Sequence, residues 1–214
     1  HNAWAHAEPG ILFWSKILNE SPARGYGIDW SEVSTNPCGE IPLCPYDSCR
    51  LVALNLYSYV ENPFTASSSF NFELWSKHVQ IAQRLMDDIV DLEIEKIDKI
   101  LTKINSDPED LEIKSVEINL WKNIKQKAID GRRTGLGITG EGDMLAALGL
   151  TYGSEKAIEF SVNVHKQMAI SAYSSSINLA KERGCFPIWS KDKDEPSEFL
   201  TRIRSKFMSR EMYK

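Results

Sequence analysis

The sequence predicts a helix-rich α/β chain with a partial sheet, on three observations. Apolar residues recur at helical spacing through long segments beginning near Asn71, Pro108 and Ser154. One short apolar run, Leu51-Val52-Ala53-Leu54-Asn55-Leu56, is bounded by polar residues and reads as a buried strand. A glycine run, Gly135 to Gly140, fits a short strand and turn better than a helix. Helices interleaved with strand candidates favour α/β over a plain bundle.

The elements follow in order. Residues 1–30 combine a short helical pattern (Trp4, Ile11, Phe13, Trp14, Ile17, Leu18) with breakers at Pro9-Gly10, Pro22 and Gly25. Residues 31–70 hold four prolines and three cysteines around the strand candidate. Asn71 is a suitable N-cap for a helix whose apolar side carries Trp75, Val79, Ala82, Leu85, Met86, Ile89, Ile97, Ile100 and Ile104. Asp107 and Pro108 predict a second start, with Asp107 as cap and Pro108 at the first helical position. That helix places Leu111, Leu120, Trp121, Ile124 and Ala128 on one side, and Gly131 supplies its stop. A short helix from about Gly142 ends at Gly149. Ser154 caps a further long helix, whose last turn holds Lys181 and Arg183 before Gly184. The tail, Thr201 to Lys214, is basic.

Composition excludes several classes. The 214 residues are 42% hydrophobic and 26% charged, which rules out wholesale disorder. Thirty acidic against twenty-five basic side chains leave a net charge of −5, so no footprint for nucleic acid or an anionic membrane surface is expected. No apolar stretch approaches the ~20 residues that span a bilayer, and a cytoplasmic location is expected. The chain opens His1-Asn2-Ala3-Trp4 without methionine, so it reads as a piece of something larger.

Three constellations are weak. Cys38, Cys44 and Cys49 are spaced by six and five positions with no nearby histidine, which suits zinc poorly. Cys44 and Cys185 read as free buried thiols. Gly135-Leu136-Gly137-Ile138-Thr139-Gly140 matches G-x-G-x-x-G, but a polar helical segment precedes it where nucleotide binding needs a strand. The acidic residues Asp87, Asp88, Asp91, Glu93, Glu95 and Asp98 read as a solvated helix face, and His78 as a satisfied core histidine. No Glu-x-x-His pair supports a di-iron site.

Ser34-Thr35-Asn36-Pro37-Cys38-Gly39-Glu40 is different. Pro37 fixes the backbone before the thiol and Gly39 permits a tight tip after it. If the stretch is extended, Asn36, Cys38 and Glu40 share one face. A thiol, a proton acceptor and a two-way hydrogen bonder would then meet one small molecule. A loop cysteine with polar capping neighbours is the competing reading.

Asn36-Pro37-Cys38-Gly39-Glu40-Ile41-Pro42-Leu43, followed by Ser48-Cys49-Arg50-Leu51-Val52-Ala53-Leu54-Asn55-Leu56, resembles the catalytic subunit of ribonucleotide reductase. It is most similar to the class II, adenosylcobalamin-dependent (vitamin B12) branch. Ala7-Glu8-Pro9-Gly10-Ile11-Leu12-Phe13 and Arg132-Arg133-Thr134-Gly135-Leu136-Gly137 resemble further family segments in the same order, so the likeness covers roughly residues 3–190.

The resemblance implies a fragment of a ten-stranded α/β barrel, with all of 1–214 in the barrel domain and a catalytic finger loop at about 34–48. It implies that Cys38 carries a thiyl radical that takes the 3′ hydrogen of the ribose and later returns it. Glu40 would take the 3′-hydroxyl proton, Asn36 would hydrogen-bond the ribose hydroxyls, and Cys49 would supply reducing electrons. Pro37 and Gly39 complete the substrate-binding tip. The implied cofactor is adenosylcobalamin, with no binding residues locatable in this chain. The implied partners are a ribonucleotide, a thioredoxin- or glutaredoxin-type reductant and the remainder of the reductase chain. A protein-held metal is not expected.

The chain departs from the family in places. No cysteine precedes Cys38 to pair with Cys49, and the Thr/Ser-rich phosphate loop and C-terminal cysteine pair are absent. The 214-residue piece is therefore expected to be inactive alone. Two alternatives stay open. One is a class I large subunit served by a separate radical-generating subunit. The other is a helical nucleotide-binding or interaction module without radical chemistry.

Overall fold

Short pairing segments near the N-terminus give way to long helices. The computed structural model describes residues 1–194 and 198–207, with side chains through residue 202. In order, the elements are α1 (Asn2–His6), α2 (Trp14–Glu20), β1 (Ser34–Thr35), β2 (Pro42–Leu43), β3 (Leu51–Asn55), β4 (Val60–Glu61), β5 (Ser69–Phe70), α3 (Phe72–Ser106), α4 (Leu111–Gly131), β6 (Gly135–Thr139), α5 (Glu141–Ala147), α6 (Glu155–Arg183), α7 (Lys191–Asp194) and α8 (Glu198–Phe207). The chain divides into two compact units, residues 50–187 and residues 1–49 with the segment from Ile188 onward.

In the unit 50–187, β3 pairs with β6 in parallel, Leu51 opposite Gly135 through Asn55 opposite Thr139. The glycine run is thus itself the strand, and the element directly before it is a helix rather than a strand that could deliver a phosphate. Side chains alternate along β3: Val52 and Leu54 are partly buried, while Leu51, Ala53 and Asn55 are exposed. The expected buried strand is therefore buried on one face only, because helices cover one face of this two-stranded sheet. The core beside it gathers Leu56, Tyr59, Phe70, Trp75, Val79, Met144, Leu145, Ala157 and Val164. Trp75 is fully buried, meets Tyr59 edge-on at 4.9 Å and donates its indole N–H to Val164 O at 3.3 Å. His78 is satisfied as expected, with Nδ1 3.2 Å from the Tyr59 hydroxyl. Burial of the Tyr59 phenol pushes its pKa above the usual value.

The caps explain the helix boundaries. Asn71 Oδ1 accepts the Leu74 N–H at 2.8 Å, and Ser154 Oγ accepts the Ala157 N–H at 3.3 Å. The second helix does not begin at Pro108. Asp107 is already committed to ending α3, with its N–H on Lys103 O and Ile104 O and its carboxylate 2.5 Å from Lys103 Nζ. Asp110 becomes the N-cap of α4. Gly131 is not the left-handed stop either; Arg132 takes that role at φ 42°. Three hydrogen bonds offset its backbone cost, from the guanidinium to Asp87 Oδ1, Asp91 Oδ1 and Asp87 O at 2.7, 2.7 and 3.0 Å.

Helical periodicity overstates the buried stripes. On α3, Trp75, Val79, Ala82, Met86, Val90, Ile97 and Ile104 are buried, whereas Leu85 is half exposed. On α4, only Ala128 of the expected stripe is buried, and Leu111 and Leu120 are exposed. The acidic run is not simply a solvated face. Asp87 and Asp88 pair with Arg183, Asp87 and Asp91 with Arg132, Glu93 with Arg50 and Asp98 with Lys125. These charges join α3 to α4 and α6. Burial raises the Asp87 carboxyl, but Arg132 and Arg183 outweigh it and hold the pKa below the ordinary value.

In the other unit, the 3₁₀ turn Ala23–Tyr26 meets α7. Tyr26 donates to Asp194 Oδ1 at 2.6 Å, and Trp189 Nε1 donates to Asp194 Oδ2 at 3.0 Å. Burial and the Asp194 carboxylate push the Tyr26 phenol well above its usual range. A Cβ on Gly25 would stand 2.6 Å from Lys193 O, so the approach requires glycine. Cys44 of this unit is buried as expected, whereas Cys185 of the unit 50–187, expected to be buried, is exposed. The basic tail reaches beyond the described residues after Phe207. Among the described residues, no helix is long and apolar enough to cross a membrane.

Candidate functional site

The finger segment folds as a small hairpin. β1 and β2 pair antiparallel, Ser34 opposite Leu43 and Thr35 opposite Pro42, and Val33 N–H adds a bond to Leu43 O at 3.0 Å. Pro42 is tolerated because the ladder is only two strands wide and leaves an edge.

The tip is a turn, not the extended stretch that would set Asn36, Cys38 and Glu40 on one face. Gly39 N–H donates to Asn36 O at 3.0 Å, closing a four-residue turn through Pro37 and Cys38. Gly39 adopts φ +85°, a conformation that disfavours side chains, and the Leu12 side chain lies close by. Asn36 N–H donates to Ile41 O at 3.1 Å, and Ile41 N–H donates back to Asn36 Oδ1 at 2.9 Å. Asn36 is 6% exposed. Cys38 and Glu40 stand exposed on the loop that Asn36 closes. The five residues Asn36 to Glu40 are thus held in one loop, and Cys49 lies outside it.

The linker from the hairpin to β3 explains Cys44. Asp47 N–H donates to Cys44 O at 3.2 Å, closing a turn in which Tyr46 takes φ +64°. Cys44 Sγ lies 3.7 Å from Asp47 Oδ2, and Ser48 N–H donates to Asp47 Oδ1 at 2.9 Å. Cys44 is a structural thiol in this turn. Cys49 is exposed two residues before β3 begins.

Two supporting residues escaped the sequence reading. Arg50 is buried, ion-paired to Glu93 on α3, with Nη1 2.9 Å from Arg133 O. Its backbone carbonyl accepts the Gly135 N–H at 2.7 Å, so Arg50 joins the starts of β3 and β6. It stood inside the Ser48–Leu56 block, yet its partner is 43 residues away and no local pattern links them. Glu32, one residue before the hairpin ladder begins, is buried and accepts from Ser21 Oγ. A single acidic residue in a polar stretch carries no sequence signal of burial. The acidic group Asp87, Asp88 and Asp91 could in principle ligate a cation, but Arg132 and Arg183 already neutralise it.

Residues 1–206 match the family described as ribonucleotide reductase, barrel domain. The chain is similar to a vitamin B12-dependent ribonucleoside-diphosphate reductase of Thermoplasma acidophilum, 32% identical over 190 residues, covering 87% of this chain and 20% of that protein. A protein of the same name from Mycobacterium tuberculosis is 29% identical over 192 residues, covering 89% of this chain and 23% of its own. A ribonucleoside-diphosphate reductase subunit alpha of Chlamydia pneumoniae is 29% identical over 163 residues, 74% of this chain and 13% of that protein. The chain spans about a fifth of the length of the first two relatives.

Proposed function

The chain belongs to the ribonucleotide reductase barrel-domain family, and from that premise we propose that it is the finger-loop segment of a reductase that makes deoxyribonucleotides. The observation that supports this most directly is the hairpin tip, which presents Cys38 and Glu40 on a loop closed by Asn36. Hydrogen transfer between sulfur and carbon needs a short fixed distance, and a braced turn limits how far the thiol can wander.

In this reading, Cys38 first loses a hydrogen atom to a radical source outside the chain. Its sulfur then takes the ribose 3′ hydrogen: an S–H bond forms, the C3′–H bond breaks, and the unpaired electron passes to carbon. Glu40 accepts the 3′-hydroxyl proton, and the protonated 2′-hydroxyl leaves as water. Two electrons and two protons come from a dithiol that includes Cys49 and ends as a disulfide. Cys38 finally returns its hydrogen to C3′.

The names of the Thermoplasma and Mycobacterium relatives support adenosylcobalamin as the radical source. Bound, it would supply homolytic chemistry. The hairpin offers such a group an exposed thiol but no cradle of buried polar atoms, so the corrin is assigned no residues of this chain. The subunit alpha relative supports the rival radical source, a separate subunit. A thioredoxin- or glutaredoxin-type reductant and a cytoplasmic setting complete the proposal.

Cys38→Ser in the full-length reductase tests it. Ribonucleotide reduction should fall by at least about 1000-fold, because a hydroxyl cannot replace the sulfur radical carrier. Retention of a tenth of the activity would refute the assignment. Cobalamin-dependent exchange of tritium into solvent by the parent would select the class II source, and its absence the separate subunit. Turnover by the 214-residue chain alone, given cobalamin and dithiothreitol, would overturn the expectation that it is inactive by itself.

A further inference from the structure

Helix α4 turns one side to α3. Lys125 pairs with Asp98, and Lys114 Nζ donates to Asn105 O at 3.2 Å. These two lysines are about three turns apart, so they mark the side that faces α3. Ile113, Val116 and Leu120 lie roughly a third of a turn round from it, 50%, 66% and 44% exposed. Their spacing of three and four continues to Asn123 and Lys127. That is the seam of a two-helix coil, not a scatter of single surface apolar residues. The charge along the helix is segregated as well. Residues 109–117 carry a net −3 and residues 119–127 a net +3. Position 118 is the midpoint of both patterns: reversing the helix about it sets 113 opposite 123 and 116 opposite 120. The helix is therefore complementary to its own reverse, whereas a parallel copy would set acid on acid and base on base.

We propose that α4 is a self-docking surface, on which the α4 of a second copy of the chain lies antiparallel across a two-fold axis near Ile118. Val116 of each copy packs against the second copy's Leu120, and Ile113 meets the second copy's Asn123. Lys127 comes beside the second copy's acidic start, Glu109 to Glu112. An isologous contact uses each of these pairings twice. Asn123 costs some affinity in the seam, but a polar residue there disfavours slipped registers. The seam occupies about 20 Å of helix, which places it among small, reversible interfaces. It belongs to the unit 50–187 and is independent of the hairpin tip and its chemistry.

Sedimentation of the full-length reductase over about 1 to 100 μM reads the association. Wild type is compared with Val116→Glu, with Leu120→Lys and with an equimolar mixture of the two variants. Either variant alone buries two like charges in the seam, one from each copy. Self-association should weaken by roughly 100-fold, about tenfold at each symmetric site. In the mixture, the introduced carboxylate of one chain faces the introduced ammonium of the other, while the remaining Leu120 and Val116 face each other. Association should therefore return to within about tenfold of wild type. A wild-type chain with no concentration-dependent step, an association step that Val116→Glu leaves unchanged, or a mixture no better than its components would each overturn the proposal. Both positions are exposed, so the melting midpoints of the variants should stay within about 2 °C of wild type. A lowered midpoint without a change in sedimentation would show that the remainder of the reductase chain covers α4, and would overturn the proposal too.

Discussion

Gly140 is the position where sequence and structure make the sharpest energetic demand. It follows β6 as the N-cap of α5, in the left-handed region at φ 70° and ψ 27°, and a Cβ there would lie close against Asn55 Oδ1. Alanine at residue 140 would incur the left-handed penalty, about 1 kcal/mol. It would also push the Asn55 side chain off the Tyr57 N–H, which it now accepts at 3.1 Å. Losing that bond costs about another 1 kcal/mol. Gly140→Ala should therefore destabilise the chain by about 2 kcal/mol, read by urea unfolding with tryptophan fluorescence. Asn55→Ala alone should cost about 1 kcal/mol. The double variant should cost no more than Gly140→Ala, a coupling of about 1 kcal/mol, because the displaced group is already gone. A Gly140→Ala change within about 0.5 kcal/mol of wild type, or strict additivity in the double variant, would refute the close-approach argument.

Two further perturbations address the charges. Asp87→Asn should destabilise the chain at neutral pH by about 1 kcal/mol, discounted for solvent screening of its partly exposed arginine partners. Since the folded carboxyl lies below its ordinary pKa of 3.8, its contribution is present above that value and lost as pH falls through the folded pKa. The gap between wild type and variant in a pH series of urea melts should therefore close under acid; a gap unchanged at about pH 2 would contradict the ion-pair origin. Arg50→Met should cost about 3 kcal/mol, because it strands Glu93 against a site where the Arg50 side chain is 4% exposed. Adding Glu93→Leu should recover much of the loss, and failure to recover any would locate the cost in the bond to Arg133 O instead.

Legibility followed the range of each interaction. Asn71 and Ser154 were readable because a cap acts within three residues, and the glycine run because the segment directly before it is polar and helical. Asp107 is locally ambiguous, since its chemistry suits a helix start and a helix end equally, and only the Lys103 contact decides between them. Cys38, Glu40 and Asn36 were readable as a group because one short loop holds them. Their arrangement was not, since an extended strand and a four-residue turn place every second side chain differently. Leu111, Leu120 and Leu51 show the same limit for packing: periodicity identifies a face, not what covers it.

By itself, the sequence determined that the chain is helix-rich with a few strands, where the main caps lie and, through its motifs, the family. These depend on contacts between near neighbours or on residue identity. Tertiary structure alone decided that Arg132 could take a left-handed conformation, that Arg50 and Glu93 join β3 to α3, and that Cys185 lies exposed while Cys44 is buried. Those outcomes depend on which distant atoms share a small volume, and a linear order of residues does not encode that directly.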